Sequence, residues 1–146
     1  MAVRVQSEDF DLGAELAALR AGCTNIGALV SFCGLVRNDT GDLQTLELEH
    51  YPEMTEKALA EIEEEAHHRW DLNATLIVHR FGLLEPGEQI MMVATASLHR
   101  KAAFEAADFL MDFLKSRAPF WKKETGVDGA KWVDAKEDDE TMLKRW

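Results

Sequence analysis

Apolar residues recur along this chain with two different periods, one typical of strands and one typical of helices. Where they alternate with polar residues or run continuously they predict strands, in segments 2–6, 27–37, 43–51, 74–81, 89–98 and 129–133. Where they recur three and four positions apart they predict helices, in segments 12–20, 54–70 and 101–117. This order of elements predicts an α+β sandwich with antiparallel hairpins and two main amphipathic helices.

Capping and breaking residues mark the ends of two predicted helices. Asp9 or Asp11 can cap the first helix, and Gly22 lies near its C-terminal end. Pro119 has no N–H group and restricts the residue before it, so the last helix is expected to end near Arg117.

The chain carries one clear hairpin signal and no domain boundary. Segment 38–42 is rich in turn-forming residues, so segments 27–37 and 43–51 are predicted to pair as a hairpin. No repeat or linker interrupts residues 1–146, which are expected to form a single domain. A chain of this length buries about two thirds of its unfolded surface and can form a proper core.

Composition and charge exclude several classes of partner. The chain is 47% hydrophobic and 29% charged, as in ordinary globular proteins, and its formal net charge is −11. Such a charge disfavours nucleic acids and anionic membrane surfaces. No apolar run is long enough for a transmembrane helix, and the first residues do not resemble a signal peptide. Cys23 and Cys33 form no CxxC pair, so a reduced, cytoplasmic protein is expected.

The usual cofactor and metal motifs are missing from the sequence. There is no phosphate-binding GxxxxGK[ST] loop and no GxGxxG turn. His67 and His68 are adjacent on a predicted helix and diverge, so no metal site is predicted. Cys33 is either a nucleophile or a small buried apolar residue, and its apolar strand favours the second interpretation.

Cations cluster around Pro119 although the chain as a whole is acidic. They are Lys115, Arg117, Lys122 and Lys123. Lys115 is expected in the last helical turn and Lys122 in a separate, aromatic-rich turn, so that two lysines from different elements converge on one pocket. The alternative is a helix end whose cations suit the helix dipole, followed by a solvated turn.

Further cations follow the predicted strands. Arg37, His79-Arg80 and His99-Arg100 each end a strand, and strand ends that open toward one rim make an anion site. For His79-Arg80 taken alone, a surface charge at a strand end is the favoured interpretation. Arginine suits bidentate contacts with phosphate, and a lysine can change its protonation state to act as acid, base or nucleophile.

Five segments that carry these residues resemble one known family. They are 27–37 (GALVSFCGLVR), 48–54 (LEHYPEM), 77–82 (IVHRFG), 97–104 (SLHRKAAF) and 111–124 (MDFLKSRAPFWKKE). With them the chain resembles the large, catalytic subunit of molybdopterin synthase, from about residue 5 to residue 132. One departure is Cys33, where a small polar residue is more usual.

The resemblance implies a fold, a reaction and partners. The fold is an α/β hammerhead, and the reaction converts cyclic pyranopterin monophosphate to molybdopterin. Sulfur comes from the C-terminal thiocarboxylate of a small ubiquitin-like partner ending in Gly-Gly. The assembly is a homodimer within a heterotetramer, and the reaction needs neither a metal nor a cofactor. A non-catalytic anion-binding or scaffold subunit is the alternative.

The resemblance also implies the site residues. Lys115 and Lys122 match the family's catalytic lysines, and it does not say which of them performs which proton transfer. The substrate-binding positions it implies are Leu35, Val36, Arg37, His99, Arg100, Lys115, Lys122, Lys123 and Glu124.

Overall fold

A computed structural model describes residues 1–133 and 141–146. The secondary-structure elements follow in this order: β1 (Ala2–Gln6), α1 (Leu12–Arg20), β2 (Ala28–Leu35), β3 (Leu43–His50), α2 (Met54–Arg69), β4 (Ala74–Arg80), β5 (Gly82–Leu84), β6 (Gln89–Ser97), α3 (Arg100–Ser116), β7 (Phe120–Gly126) and β8 (Gly129–Val133). The acidic segment 134–140 lies outside the described residues.

The first sheet is built around the two most apolar strands. Its strand order is β1-β4-β6-β2, with β1 parallel to β4 and the other neighbours antiparallel. Successive side chains of a strand point to opposite faces. Ile77 and Val93 therefore join the cluster formed with α2 and α3, whereas Leu76 and Ala94 join the cluster beneath α1. Helices on both faces explain why β4 and β6 are buried along nearly their whole length.

The second sheet has the order β5-β3-β7-β8, and all its strands are antiparallel. Its central strand β3 alternates as the sequence predicts. Leu46 and Leu48 are buried and pack with Val36 and Leu84, whereas Glu49 is exposed. The sheet therefore has an inner, partly apolar face and an outer, polar face.

The predicted α+β fold and its helices are confirmed. α1 is capped by Asp11, whose Oδ1 accepts a hydrogen bond from the Ala14 N–H at 3.0 Å. α3 ends at Ser116, and Arg117 is its capping residue, as Pro119 predicts. The two long helices, α2 and α3, contribute Leu59 and Phe109 among others to the largest core cluster.

The predicted hairpin between segments 27–37 and 43–51 is wrong. β2 pairs with β6 in the first sheet, and β3 pairs with β5 and β7 in the second. Beyond β2 the chain stays attached to the turn before β6, because the Val36 N–H donates to Glu88 O at 2.9 Å and the Gly87 N–H donates to Val36 O at 2.8 Å. The polar segment 38–42 therefore carries the chain from one sheet to the other.

Two strands were not predicted. Residues around Lys122 form β7 instead of a turn, and β5 follows β4 after a single residue. β7 lacks the apolar alternation that would reveal it in the sequence, because its four side chains from Lys122 to Thr125 are all polar. Its neighbours β3 and β8 supply hydrogen bonds along both edges, so tertiary pairing makes it a strand.

Candidate active site

A cavity of about 580 Å³ lies between the second sheet, the C-terminal end of α3 and the end of β2. Sites for small molecules usually measure about 300–1,000 Å³. Ile90, Met91, Met111, Leu114 and Phe120 give the cavity an apolar lining, and charged side chains lie among them. Such a site can bury the body of a ligand and orient its polar groups.

The end of α3 places Lys115 at the cavity. Lys115 lies in the last turn of the helix, one turn after Met111, and both side chains line the cavity. The Arg117 N–H closes the final turn by donating to Phe113 O at 2.7 Å. Pro119 then prevents the helix from continuing, so the chain reverses directly after Lys115.

Thr55, on α2, holds this reversal of the chain in place through hydrogen bonds. Its side chain is fully buried. Its Oγ1 donates to Pro119 O and accepts from the Tyr51 N–H, both at 3.2 Å. With the turn held in this way, the end of α3 and the start of β7 face the same cavity, which Lys115 and Lys122 therefore line together.

Alternation along β7 separates the two neighbouring lysines. Lys122 and Glu124 point to the inner face and line the cavity. Lys123 pairs with Glu47 of β3 and lies over the Trp132 ring, with Nζ 5.7 Å from the ring centroid. Lys123, predicted at the substrate, therefore does not line the cavity.

The end of β2 supplies the third side of the site. The pairing with β6 shifts register between Gly34 and Leu35, and Leu35, Val36 and Arg37 then line the cavity. Val36 is buried, whereas the Arg37 side chain is 72% exposed and pairs with Asp39 at 3.8 Å. Arg37 can therefore turn toward a bound anion at little cost, because so exposed an ion pair is weak.

The described cavity lining is locally cationic although the chain carries −11 overall. Arg37, Lys115 and Lys122 oppose two carboxylates, those of Asp39 and Glu124. Three cations in a partly apolar cleft attract an anion more strongly than the same charges would in open water. The arrangement fits a ligand with a phosphate or carboxylate group.

His99 and Arg100 do not reach this cavity within one chain. They begin α3, whereas Lys115 lies near its end. At 1.5 Å per residue, Arg100 and Lys115 are about 22 Å apart along the helix. The expectation that all strand-end cations share one rim is therefore wrong: β6 runs antiparallel to β2 and β4, so it ends at the opposite edge of the sheet.

His79 and Arg80, interpreted as surface charges from the sequence, are both 7% exposed. Arg80 donates to Ser7 O at 3.1 Å and to Gln89 O at 3.0 Å, so its role is structural. His79 lines the cavity and was missed as a site residue. The alternation of β4 gave a signal, because His79 shares the face of Ile77.

Burial is the main cause that lowers the pKa of His79 to about 3, and the nearby charges of Lys122, Lys115 and His50 lower it as well. The hydrogen bond to Arg80 O acts in the opposite direction and raises the pKa. The imidazole is therefore neutral at ordinary pH. It is an uncharged polar group beside the two lysines.

Cys33 also lines the cavity, and it is half-buried. Its thiol donates to Gln89 Oε1 at 3.4 Å. Burial is the main cause that raises the pKa of the thiol, and the charge of Asp9 raises it further. A thiol held protonated is a poor nucleophile, which agrees with the non-catalytic interpretation of Cys33.

Two features are absent from residues 1–133 and 141–146, a cluster of metal ligands and a membrane-spanning helix. Within these ranges no three or more His, Cys, Asp or Glu side chains are grouped so that they could hold a metal ion. No helix in the same ranges is long and apolar enough to cross a membrane.

Comparison with known proteins assigns residues 5–117 to one family model, that of the MoaE protein. The matched region runs from β1 through α3 and includes Arg37 and Lys115. Lys122 follows just after it, in β7.

Curated relatives match along the whole chain. Molybdopterin synthase catalytic subunits are 59% identical in Ralstonia nicotianae, covering 99% of this chain and 83% of the relative, and 58% identical in Cereibacter sphaeroides, covering 100% of both. The solved molybdopterin biosynthesis MoaE protein from Burkholderia ambifaria superimposes with a TM-score of 0.87, at 54% identity, over 100% of this chain and 98% of that one.

Proposed function

The chain belongs to the MoaE protein family, and from that membership we propose that it is the catalytic subunit of a molybdopterin synthase. In this role it converts cyclic pyranopterin monophosphate to molybdopterin. The observation that carries the proposal is the cationic cavity in which Lys115 and Lys122, from different elements, lie beside Arg37. The substrate carries a phosphate, and these cations give that phosphate a place to bind.

The second participant is a small ubiquitin-like partner that ends in Gly-Gly and carries sulfur as a C-terminal thiocarboxylate. The relatives are named catalytic subunits, which agrees with a further subunit in the assembly. A tail of two glycines has no side chains and can pass close to backbone, so it fits a cleft already lined by Leu35, Met111 and Leu114.

In the proposed reaction, sulfur is transferred in two rounds. The thiocarboxylate sulfur attacks the substrate side chain, and the cyclic phosphate opens. Lys115 and Lys122 stabilise the developing negative charge and move protons, while Arg37 holds the phosphate. Water then hydrolyses the acyl link, so that the sulfur stays on the substrate and the partner leaves as a carboxylate. A second sulfur-carrying partner delivers its sulfur to the neighbouring side-chain carbon, whose oxygen leaves as water, and a second hydrolysis releases that partner. Cys23 and Cys33 are both free thiols, as expected of a protein in the reducing cytoplasm.

A second copy of the chain can bring His99 and Arg100 to the substrate. Leu98 and Phe104, which flank Arg100, are 52% and 61% exposed, and Phe32 and Leu35 beside the cavity are 43% and 55% exposed. Apolar side chains at both places mark surfaces that a partner covers. In a two-fold dimer one patch can face the other, and Arg100 of one protomer then reaches the cavity of its neighbour.

The first test is product formation by the purified chain with substrate and sulfur-loaded partner. We expect molybdopterin to form, and we expect a partner without its last two glycines to bind more weakly and to give no product. An intact partner without thiocarboxylate serves as the control for binding alone. Substrate binding without product from the fully loaded mixture would identify a non-catalytic anion-binding scaffold subunit instead.

The shared site predicts complementation between two inactive variants. Lys115→Ala and Arg100→Ala are each expected to abolish turnover. In a mixed dimer one of the two sites receives both substitutions, and the other keeps both native residues. After the two variants are unfolded together and refolded in equal amounts, about a quarter of the wild-type activity should return, because half of the dimers are mixed.

The control for this experiment is the same two variants mixed without refolding, which should stay inactive. A refolded mixture that also stays inactive, although the dimers have exchanged subunits, would mean that each site is built from one protomer.

A further inference from the structure

His79 is the buried polar side chain of the cavity that the proposed reaction leaves without a role. It lies near the end of β4 and lines the same cavity as Lys115 and Lys122. Its ring stacks on Phe120, with centroids 3.6 Å apart and planes 17° apart. The plane of the imidazole is therefore fixed by a residue of β7 that lies two positions before Lys122.

Its hydrogen bond determines which nitrogen carries the proton. Nδ1 lies 2.8 Å from the backbone carbonyl oxygen of Arg80. A carbonyl oxygen only accepts, so Nδ1 donates, and in the neutral ring Nε2 is left as an acceptor. The stack and this hydrogen bond together hold that acceptor in one orientation.

The charged and titratable groups around the ring come from several elements. Lys115 of α3, Lys122 of β7 and His50 of β3 all disfavour a positive charge on it. Arg37 and Glu124 line the same cavity. A second proton on His79 would add another positive charge to this cluster. A neutral His79 can instead accept a hydrogen bond from one of the cations, which reduces the repulsion between them.

We propose that His79 is a positioning residue: its Nε2 accepts a hydrogen bond from the ammonium group of Lys115 or Lys122, directly or through one water molecule, and holds that group in place toward the substrate. The effect on turnover rests on the proposed function. The effect on the lysine does not, because it is present without substrate.

Two substitutions separate the acceptor from the stack. His79→Phe keeps an aromatic ring against Phe120 but has no acceptor, whereas His79→Gln keeps an acceptor and loses the stack. For His79→Phe we expect about a tenfold lower kcat with little change in KM, since a lost hydrogen bond to a charged group has at least that effect. His79→Gln should keep kcat within about threefold of wild type by the same reasoning.

The second readout needs no turnover. NMR signals of labelled lysine side chains are followed against pH in the wild type and both variants. A hydrogen bond stabilises the ammonium form, so in His79→Phe at least one lysine of the pair should lose its proton at a lower pH than in wild type. In His79→Gln the titration should stay near the wild-type midpoint. This shift in a protein that makes no product would refute the proposed function and leave the positioning role intact.

Thermal melts accompany both measurements, and His79→Leu replaces His79→Phe as the acceptor-free variant if the latter does not fold. Lysine titrations that are identical in the wild type, the acceptor-free variant and His79→Gln would overturn the proposal. So would the reverse pattern, in which His79→Phe keeps kcat and His79→Gln loses it, because the ring would then act only through its stack on Phe120.

Discussion

Lys115→Arg is expected to slow product formation at least ~100-fold, the usual contribution of a general acid–base group, while the protein still folds and binds its partner. Arginine keeps the positive charge and reaches about as far as lysine, but it does not deprotonate in proteins. A residue that must give and take a proton therefore fails as arginine, whereas one that only supplies positive potential survives. The measurement is single-turnover conversion with pre-loaded partner, beside a thermal melt.

The geometry of the cavity favours proton transfer at Lys115. Lys122 enters the same cavity from β7, so a second side chain that can donate or accept a proton lies in the same small volume as Lys115. Lys123 and Arg100, which the resemblance implies as substrate-binding positions, do not add to this pair within one chain. Lys123 lies over Trp132, and Arg100 lies at the other end of α3.

Lys123→Arg is the matched control, because it makes the same change on the same protein one residue away from Lys122. Its side chain lies outside the cavity, so conversion should stay near the wild-type rate. Near-wild-type conversion by Lys115→Arg would show that Lys115 acts through its charge alone. The proton transfers would then belong to Lys122 or to water.

Local periodicity predicted the elements of this fold other than β5 and β7, because burial of one face or both faces leaves a direct mark on the sequence. The helices and the strands β4 and β6 lie where the apolar spacing placed them. Strand pairing left no such mark. The turn-rich segment 38–42 fits a hairpin as well as a crossing between two sheets. The pairing of β2 with β6, continued by the contacts of Val36 with Gly87 and Glu88, decides between the two.

The wrong expectation that His99 and Arg100 share a rim with the other strand-end cations could have been avoided from the sequence. Segments 74–81 and 89–98 are joined by a short turn and must run antiparallel, so the cations that end them lie at opposite edges of the sheet. The converse holds for Arg37 and His79: β2 and β4 both pair antiparallel with β6, so their ends share an edge.

The closeness of His79 to the lysines could not be predicted from spacing. Alternation in β4 places His79 on the face covered by α2 and α3, and no sequence rule says that α3 ends directly above it. That position depends on the length of α3 and on the turn at Pro119, which Thr55 holds by its hydrogen bond.

Acid should unfold the wild-type protein more readily than it unfolds His79→Phe. The pKa of His79 is about 3 in the folded protein, whereas an unfolded histidine titrates near its ordinary value of 6.5. As the pH falls below about 6.5 the unfolded chain gains a proton that the folded protein refuses, so stability is lost until the pH approaches about 3. Between about pH 7.5 and about pH 4.5 this linkage removes on the order of 2–3 kcal/mol of unfolding free energy.

The measurement is denaturant unfolding at these two pH values and one fixed protomer concentration, because the stability of the proposed dimer would depend on concentration. When the pH is lowered, His79→Phe should lose less unfolding free energy than wild type does. The difference between the two losses should be about the amount given by that linkage. Other groups also respond to acid: a hydrogen bond from Gln89 is the main cause that lowers the pKa of Asp9, and burial raises the pKa of Glu63. Both are present in wild type and variant, so their effects cancel in the difference.

His68→Gln is the control that isolates burial from the mere presence of a histidine. Its side chain is 70% exposed on α2, so the substitution removes a histidine without touching the buried imidazole of His79, and the acid response should match wild type. If His79→Phe also matches wild type, the imidazole takes up its proton in the folded state. The acceptor that the lysine pair needs would then already be lost at mildly acidic pH, and activity and stability would have to be explained without a neutral His79.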